Sequence, residues 1–168
     1  MRHPPPRPGM TVAPTSGLPA AGLVAREVRS TADLCAALDA VSEVLNAHGY
    51  ATRDAFGVRL AVEEALVNAL KHGHGYDPTK VVRLRYRVAA DEVWVEVEDE
   101  GAGFDHRRVA DPRLPINWSR PSGRGLLLMR HFLTWVRFND QGNCVTLCKA
   151  RAAGAPGTNG VNGVNGVH

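Results

Sequence analysis

The chain has 168 residues, of which 44% are hydrophobic and 22% are charged, and its formal net charge is +3. That charge comes entirely from residues 1–30, which carry four arginines and one glutamate, while the rest of the chain is neutral. No apolar run approaches the ~20 residues of a membrane span, and the first residues lack the apolar core of a secretory signal. These features favour a cytoplasmic protein and disfavour membrane, secreted and basic nucleic-acid-binding proteins.

Proline and glycine divide the chain into three parts. Residues 1–20 hold six prolines without hydrophobic periodicity, and residues 151–168 repeat Gly, Val and Asn. Both segments carry too little apolar surface to form a core, which predicts two disordered tails. Residues 21–150 are numerous enough to bury a core and are predicted to form one domain.

Within this domain the hydrophobic periodicity changes from segment to segment. The first half predicts a strand at 23–29, a helix from a cap at Ser30 or Thr31 to about residue 48 with Gly49 as its stop, and a helix from a cap at Thr52 to about residue 72. The second half predicts a hairpin of strands 81–89 and 92–98, a loop at 99–122, a helix at 123–132 and a hairpin of strands 134–138 and 143–149. This order predicts an α+β fold, a two-layer sandwich with helices on one face of a mixed, largely antiparallel sheet.

The three cysteines form no CxxC pair. Cys144 and Cys148 fall on one face of a predicted strand, roughly 13 Å apart, which is too far for a disulfide or a shared metal ion. We therefore expect Cys35, Cys144 and Cys148 to be ordinary, partly buried thiols of a reducing compartment.

The first motif with chemical potential lies on the second predicted helix. Glu64 and Asn68 are one helical turn apart and border its apolar stripe. A carboxylate and a carboxamide so placed suit a hard cation together with a proton acceptor, although a solvated polar edge has the same pattern. The spacing leaves open whether Glu63 or Glu64 faces a site.

The second and third motifs are rich in glycine. Asp99 ends a predicted strand and is followed by Gly101 and Gly103, so the backbone can approach a planar ligand while the carboxylate accepts a hydrogen bond. The segment 123–126, Gly-Arg-Gly-Leu, opens a helix, where free amide groups and an arginine suit an anion. Either motif alone is also compatible with a plain turn. Neither is a Rossmann fingerprint or a P-loop.

In order and spacing, the three motifs together resemble the nucleotide site of the Bergerat-fold (GHKL, histidine-kinase-like) ATPases. Within that superfamily the chain is similar to the anti-sigma-factor serine/threonine kinases of sporulation and general-stress switches. The resemblance is carried by segments 60–73, 97–105, 111–132 and 138–149.

The resemblance implies roles for the second helix. It selects Glu64 as the general base that takes the proton of an attacking hydroxyl, and Asn68 as the ligand of Mg²⁺. Lys71 falls beside the site as a candidate phosphate contact. His72, also beside it, is expected to be structural.

The resemblance also implies how ATP is held. Asp99 accepts from the adenine 6-amino group, Gly101 and Gly103 allow the close approach, and residues 104–122 form a lid over the phosphates. The phosphates lie at the start of the last helix, and Thr146 in the closing strand corresponds to a hydroxyl near adenine. The phosphate-binding residues are Gly123, Arg124, Gly125 and Leu126.

The implied function is a partner switch that uses Mg²⁺ and ATP. The protein phosphorylates an anti-anti-sigma protein on Ser or Thr, sequesters a sigma factor, or does both. A nucleotide-gated binding protein without physiological kinase activity stays as the alternative, and a nucleic-acid binder using the N-terminal arginines is disfavoured. Homodimerisation is common in the resembled family, and neither direct nucleic-acid contact nor a membrane is expected.

Overall fold

The structure, a computed structural model, describes residues 22–73, 75, 77, 79–103, 105 and 124–151. Except for Arg151, the predicted tails lie outside these residues, as does most of the predicted lid, so both stay predictions. The elements in chain order are β1 (Val24–Val28), α1 (Thr31–Ala47), α2 (Thr52–Asn68) with a π-helical turn (Ala69–Gly73), β2 (Val82–Val88), β3 (Glu92–Glu98), α3 (Arg124–Phe132), β4 (Trp135–Phe138) and β5 (Cys144–Ala150). They confirm the predicted α+β fold.

The five strands form one open sheet in the order β1-β2-β3-β5-β4, and each of its four pairings is antiparallel. Side chains alternate between the two faces of a strand. Val95 pairs with Tyr86 of β2 and with Leu147 of β5, and all three are buried beneath the helices. The opposite side of the sheet, which we call the outer face, carries the charged side chains of β2 and β3.

The core lies between this sheet and the helices. Leu45 of α1, Val62 and Leu66 of α2, and Leu84 and Leu147 of the sheet are completely or almost completely buried. Each such side chain stabilises the fold by about 1.5–3 kcal/mol through the removal of apolar surface from water. No helix in the described ranges is both long and apolar enough to traverse a bilayer.

The outer face is held together by ion pairs between neighbouring strands. Arg85 pairs with Glu96 and Glu98, and Arg87 pairs with Glu92 at 2.8 Å. These side chains are only partly buried, so each pair contributes no more than about 1 kcal/mol.

Helix α1 begins with a capping box. The Ser30 hydroxyl accepts a hydrogen bond from the Asp33 N–H, and the Asp33 carboxylate accepts from the Ser30 N–H at 3.0 Å. The pKa of the Asp33 carboxyl is lowered, first by a hydrogen bond from the Arg29 N–H and then by the bond with the Ser30 side chain. Of the two predicted caps, Ser30 is therefore the residue used. The helix ends at Ala47 with His48 as its C-cap, and the predicted stop Gly49 follows with a φ of 66°, which favours glycine.

The predicted cap of α2 is wrong. Ala51 has the extended backbone of an N-cap residue and offers no side-chain hydrogen bond, and Thr52 is already helical. The side chain that accepts from the free N–H groups of the first turn belongs to the N-cap residue, which precedes the helix. A hydroxyl at the first helical position, such as that of Thr52, is therefore one residue too late to cap α2.

The two helix starts give a matched stability test. Ser30→Ala is expected to lower the free energy of unfolding by about 1 kcal/mol, because it removes one half of the capping box. Thr52→Ala is expected to change it by less than about 0.5 kcal/mol, since the Thr52 hydroxyl does not cap α2. Urea unfolding followed by circular dichroism measures both values. Equal losses in the two variants would contradict the assignment of the caps.

Candidate functional site

A cavity of about 520 Å³ opens between α2, α3 and the adjoining ends of β3 and β5. Its volume is in the usual range for sites that bind small molecules. Its floor is apolar, with Val97, Met129 and Val145 among the lining residues. Seven of the predicted site residues also line it: Glu64, Asn68, Lys71, Asp99, Gly103, Gly125 and Leu126.

Helix α2 supplies the acidic and amide groups. Glu64 and Asn68 both line the cavity, whereas Glu63, one residue earlier, does not. The Glu64 carboxylate lies directly against Gly125, so a Cβ atom at position 125 would overlap its Oε2 atom. Of the two glutamates, Glu64 is therefore the one that lines the cavity, and its carboxylate lies against the beginning of α3.

The end of α2 differs from the prediction. We expected an α-helix to about residue 72, but Ala69–Gly73 forms a π-helical turn. Ala69 and Leu70 are buried in the core, while Lys71 and His72 are exposed and line the cavity. His72 lies beside the cavity, and its expected structural role stays a prediction. Single π-helical turns are frequent at functional sites, where they redirect side chains.

Asp99 also lines the cavity and follows β3 directly. Its N–H donates to the Asn143 carbonyl at 2.9 Å, and its Oδ1 atom accepts from the Gly101 N–H at 2.7 Å. The carboxyl group packs against Gly73, where a Cβ atom would overlap it. These contacts hold the carboxylate close to the π-helical turn.

The two predicted glycines after Asp99 serve mainly to let backbone segments meet. Gly101 lies against the Gly73 carbonyl and is not among the residues that line the cavity. Gly103 does line it, with a φ of 78° and its Cα beside the Gln141 carbonyl. A side chain at position 103 would be strained in this conformation and would overlap that carbonyl.

Helix α3 presents its first turn to the cavity. Gly125 and Leu126 line it, and the amides of the first helical turn have no partner within the helix. Arg124 is the first residue of α3, and its side chain is not described. Gly123 lies outside the described residues, so its predicted phosphate contact stays a prediction.

Thr146 does not reach the cavity. It alternates with Val145 and Leu147, which are buried beneath the helices, so it lies on the outer face opposite Glu96. The predicted role of Thr146 beside adenine is therefore corrected. The polar residue that lines the cavity here is Asn143, which the sequence reasoning missed. The alternation of buried residues in β5 was the signal that could have excluded Thr146.

Of the two thiols of β5, that of Cys148 is buried and that of Cys144 is half-buried. Cys144 lines the cavity, and burial is the main cause that raises its pKa to about 12; burial also raises the pKa of Cys148 to about 12. Cys35, by contrast, is exposed on α1, and all three thiols are free.

This difference predicts selective alkylation. At pH 8, iodoacetamide is expected to modify Cys35, and to modify Cys144 and Cys148 about a thousandfold more slowly than an ordinary thiol. Mass spectrometry of the native protein should show one label per chain, and denatured protein should show three. Rapid labelling of Cys144 in the native protein would contradict its burial.

Comparison with known proteins places this site in a family. Residues 28–149 match the model of the histidine kinase-like ATPase domain, and the chain belongs to that family. The fold and the cavity between α2 and α3 thus define the class of protein.

Individual relatives narrow the class. The chain is 35% identical to an anti-sigma F factor of Clostridium perfringens over 51% of its own length and 63% of the relative's. It is 30% identical to the serine-protein kinase RsbW of Bacillus licheniformis, over 65% of its own length and 72% of the relative's. It is 31% identical to the serine/threonine-protein kinase BtrW of Bordetella bronchiseptica, over 58% of its own length and 72% of the relative's. Within the histidine kinase-like ATPases, the chain therefore belongs with the anti-sigma-factor kinases. It spans less than two thirds of the anti-sigma F factor's length.

Proposed function

We propose that this protein is an ATP-dependent anti-sigma regulator that phosphorylates a Ser or Thr residue of an anti-anti-sigma protein and sequesters a sigma factor. The observation that carries the proposal is the position of the Glu64 carboxylate against Gly125, at the amide groups that open α3. A proton acceptor and an anion-binding helix start thereby meet at one end of the cavity. Asp99 lines the same cavity and packs against Gly73, at the end of the π-helical turn.

The adenine of ATP is assigned to the Asp99 side. A carboxylate accepts a hydrogen bond from the 6-amino group, which adenine has and guanine lacks at that position. The neighbouring walls are apolar, formed in part by Val97, Met129 and Val145, and can enclose the flat base.

The phosphates are assigned to the α3 side. Free amides of its first turn suit a polyanion, and Lys71, which lines the same cavity, offers a positive charge. We extend this assignment to Gly123, Arg124, Gly125 and Leu126.

The donor set fits Mg²⁺. Asn68 offers an amide oxygen one helical turn from the Glu64 carboxylate, and Mg²⁺ prefers one or two such oxygens together with phosphate oxygens and water. Asn68 is the proposed ligand. When bound, Mg²⁺ neutralises charge on the phosphates.

Glu64 then serves as the base. Its carboxylate takes the proton of the substrate hydroxyl, whose oxygen bonds to the γ-phosphorus as the bond from that phosphorus to the leaving oxygen breaks, releasing ADP. The remaining residues act by holding the reactants in line.

The partners are proposed from the relatives' names, which are those of an anti-sigma factor and of serine kinases. A sigma factor and its antagonist lie in the cytoplasm, so we place this protein there. A homodimer remains a further proposal.

The direct test is phosphotransfer from labelled ATP to each small anti-anti-sigma-like protein of the same genome, with recovery of sigma factors on the immobilised protein in parallel. We expect one phosphorylated Ser or Thr protein and a sigma factor retained only with ATP. Retention of a sigma factor without any phosphotransfer would favour the nucleotide-gated binder. The absence of both phosphotransfer and retention would contradict the proposal.

The contact between Glu64 and Gly125 makes a specific prediction. Gly125→Ala is expected to displace the Glu64 carboxylate, since the new methyl group overlaps its Oε2 atom, and to reduce phosphotransfer by about a hundredfold. The end of a glutamate side chain can move, so the melting temperature should change by only a few degrees. Unchanged transfer rates in Gly125→Ala would contradict the arrangement.

A further inference from the structure

The turn between β4 and β5 is organised by one side chain. The Asn139 Oδ1 atom accepts from the N–H groups of Gly142 at 2.7 Å, Asn143 at 3.1 Å and Cys144 at 3.2 Å. Its Nδ2 atom donates to Asn143 Oδ1 at 2.7 Å. Asn139 is exposed, yet its amide group makes four hydrogen bonds within the turn. The turn and the Asn143 side chain are therefore fixed together.

Asn143 carries this order to Asp99. Its Nδ2 atom donates to the Asp99 carbonyl at 3.0 Å, and its own carbonyl accepts from the Asp99 N–H at 2.9 Å. Both backbone polar groups of Asp99 are thus bound to a single residue. The Asn143 amide is engaged at both ends, since its Oδ1 atom accepts from Asn139.

The same turn contacts the chain after Asp99 at two further points. The backbone carbonyl of Gln141 lies against Gly103. The Nε2 atom of the Gln141 side chain donates to the Gly101 carbonyl at 3.4 Å. The segment that carries the Asp99 carboxylate is consequently seated on the turn rather than on its own strand alone.

We propose that Asn139 and Asn143 are positioning residues that set the selectivity of the site for adenine by fixing Asp99. This inference rests on the proposed function, in which Asp99 accepts from the 6-amino group. A fixed carboxylate favours that donor and opposes the 6-oxo group of guanine, because a buried polar group facing the wrong partner is left unpaired. A carboxylate free to move loses this discrimination.

Because positioning acts on the base and not on the phosphates, the readout is the ratio of the dissociation constants for GTP and ATP. Calorimetric titration with each nucleotide and Mg²⁺ gives the ratio for the wild-type protein and its variants. Asn143→Ala removes the bond to the Asp99 carbonyl and is expected to lower the ratio about tenfold. Asn143→Asp retains the acceptor for the Asn139 amide, so the turn should stay folded even if it unfolds in Asn143→Ala. This variant is expected to lower the ratio of dissociation constants by a similar factor.

Asn139→Asp separates the two contributions of Asn139, which are the order of the turn and the hydrogen bond to the Asn143 side chain. It keeps an acceptor for the three backbone N–H groups but cannot donate to Asn143, so we expect about a threefold lower ratio with an unchanged melting curve. Asp140→Asn, in the same turn, is the control, because in the described part of the chain its side chain makes no hydrogen bond; its ratio should equal that of the wild type.

Asp99→Asn distinguishes the two levels of the proposal. If it lowers the ratio while both Asn143 variants do not, the positioning role is overturned and the proposed function stands. Weaker binding of ATP and GTP by equal factors in the Asn143 variants indicates a merely structural role and also overturns it. Failure of the wild-type protein to bind ATP, or an unchanged ratio in Asp99→Asn, overturns the proposed function and the positioning role together.

Discussion

Replacement of Glu64 by glutamine is expected to lower the rate of phosphotransfer by about a thousandfold, while the Kd for ATP stays within about threefold. Glutamine keeps the shape of the side chain and its contact with Gly125, but it cannot take a proton from the substrate hydroxyl. Single-turnover transfer from labelled ATP measures the chemical step, and calorimetry measures binding.

Glu63→Gln is the matched control for this experiment. Glu63 has the same chemistry and lies one residue earlier on α2, but it does not line the cavity. Its transfer rate should equal that of the wild type. A loss of transfer in Glu63→Gln together with normal transfer in Glu64→Gln would reverse the assignment of the base.

Asp99→Asn is expected to raise the Kd for ATP about 10- to 100-fold. A hydrogen bond to a charged acceptor contributes about 1.5–3 kcal/mol, and tenfold in Kd corresponds to about 1.4 kcal/mol. The Asn amide also brings a donor toward the adenine amino group. Calorimetric titration with ATP gives the value directly.

The control is Glu98→Gln, one residue before Asp99. Its carboxylate pairs with Arg85 on the outer face at 2.8 Å, away from the cavity. ATP affinity should be unchanged in this variant. Similar losses in both variants would mean that the effect comes from disturbance of β3 and not from contact with the base.

The elements of the fold were predictable because each signal is local. Alternation of apolar and charged residues marks β2 and β3, and Ser30 and Gly49 mark the two ends of α1. The motif residues Glu64, Asn68 and Asp99 were also recognisable from spacing and resemblance, and they line one cavity.

What the sequence could not supply depends on contacts between distant segments. The family resemblance selects Glu64 over Glu63, but the contact of the Glu64 carboxylate with Gly125 depends on the approach of α3 to α2. Ala69–Gly73 forms a π-helical turn in which Ala69 and Leu70 are buried in the core, and helical periodicity does not encode where such a turn begins. The role of Asn143 depends on pairing between β5 and the end of β3.

Thr146 is a different kind of error. Its place on the outer face follows from strand alternation alone, since Val145 and Leu147 are buried under the helices. The family resemblance places Thr146 near adenine, whereas the alternation of β5 places it on the outer face, and the structure agrees with the alternation.

A crystal structure of the protein with Mg²⁺ and a non-hydrolysable ATP analogue would show directly how the cavity holds the nucleotide. We expect the adenine 6-amino group within about 3 Å of the Asp99 carboxylate, and the phosphates at the first turn of α3 beside Glu64 and Asn68. A nucleotide bound outside the cavity between α2 and α3, or bound there with its base away from Asp99, would contradict this expectation.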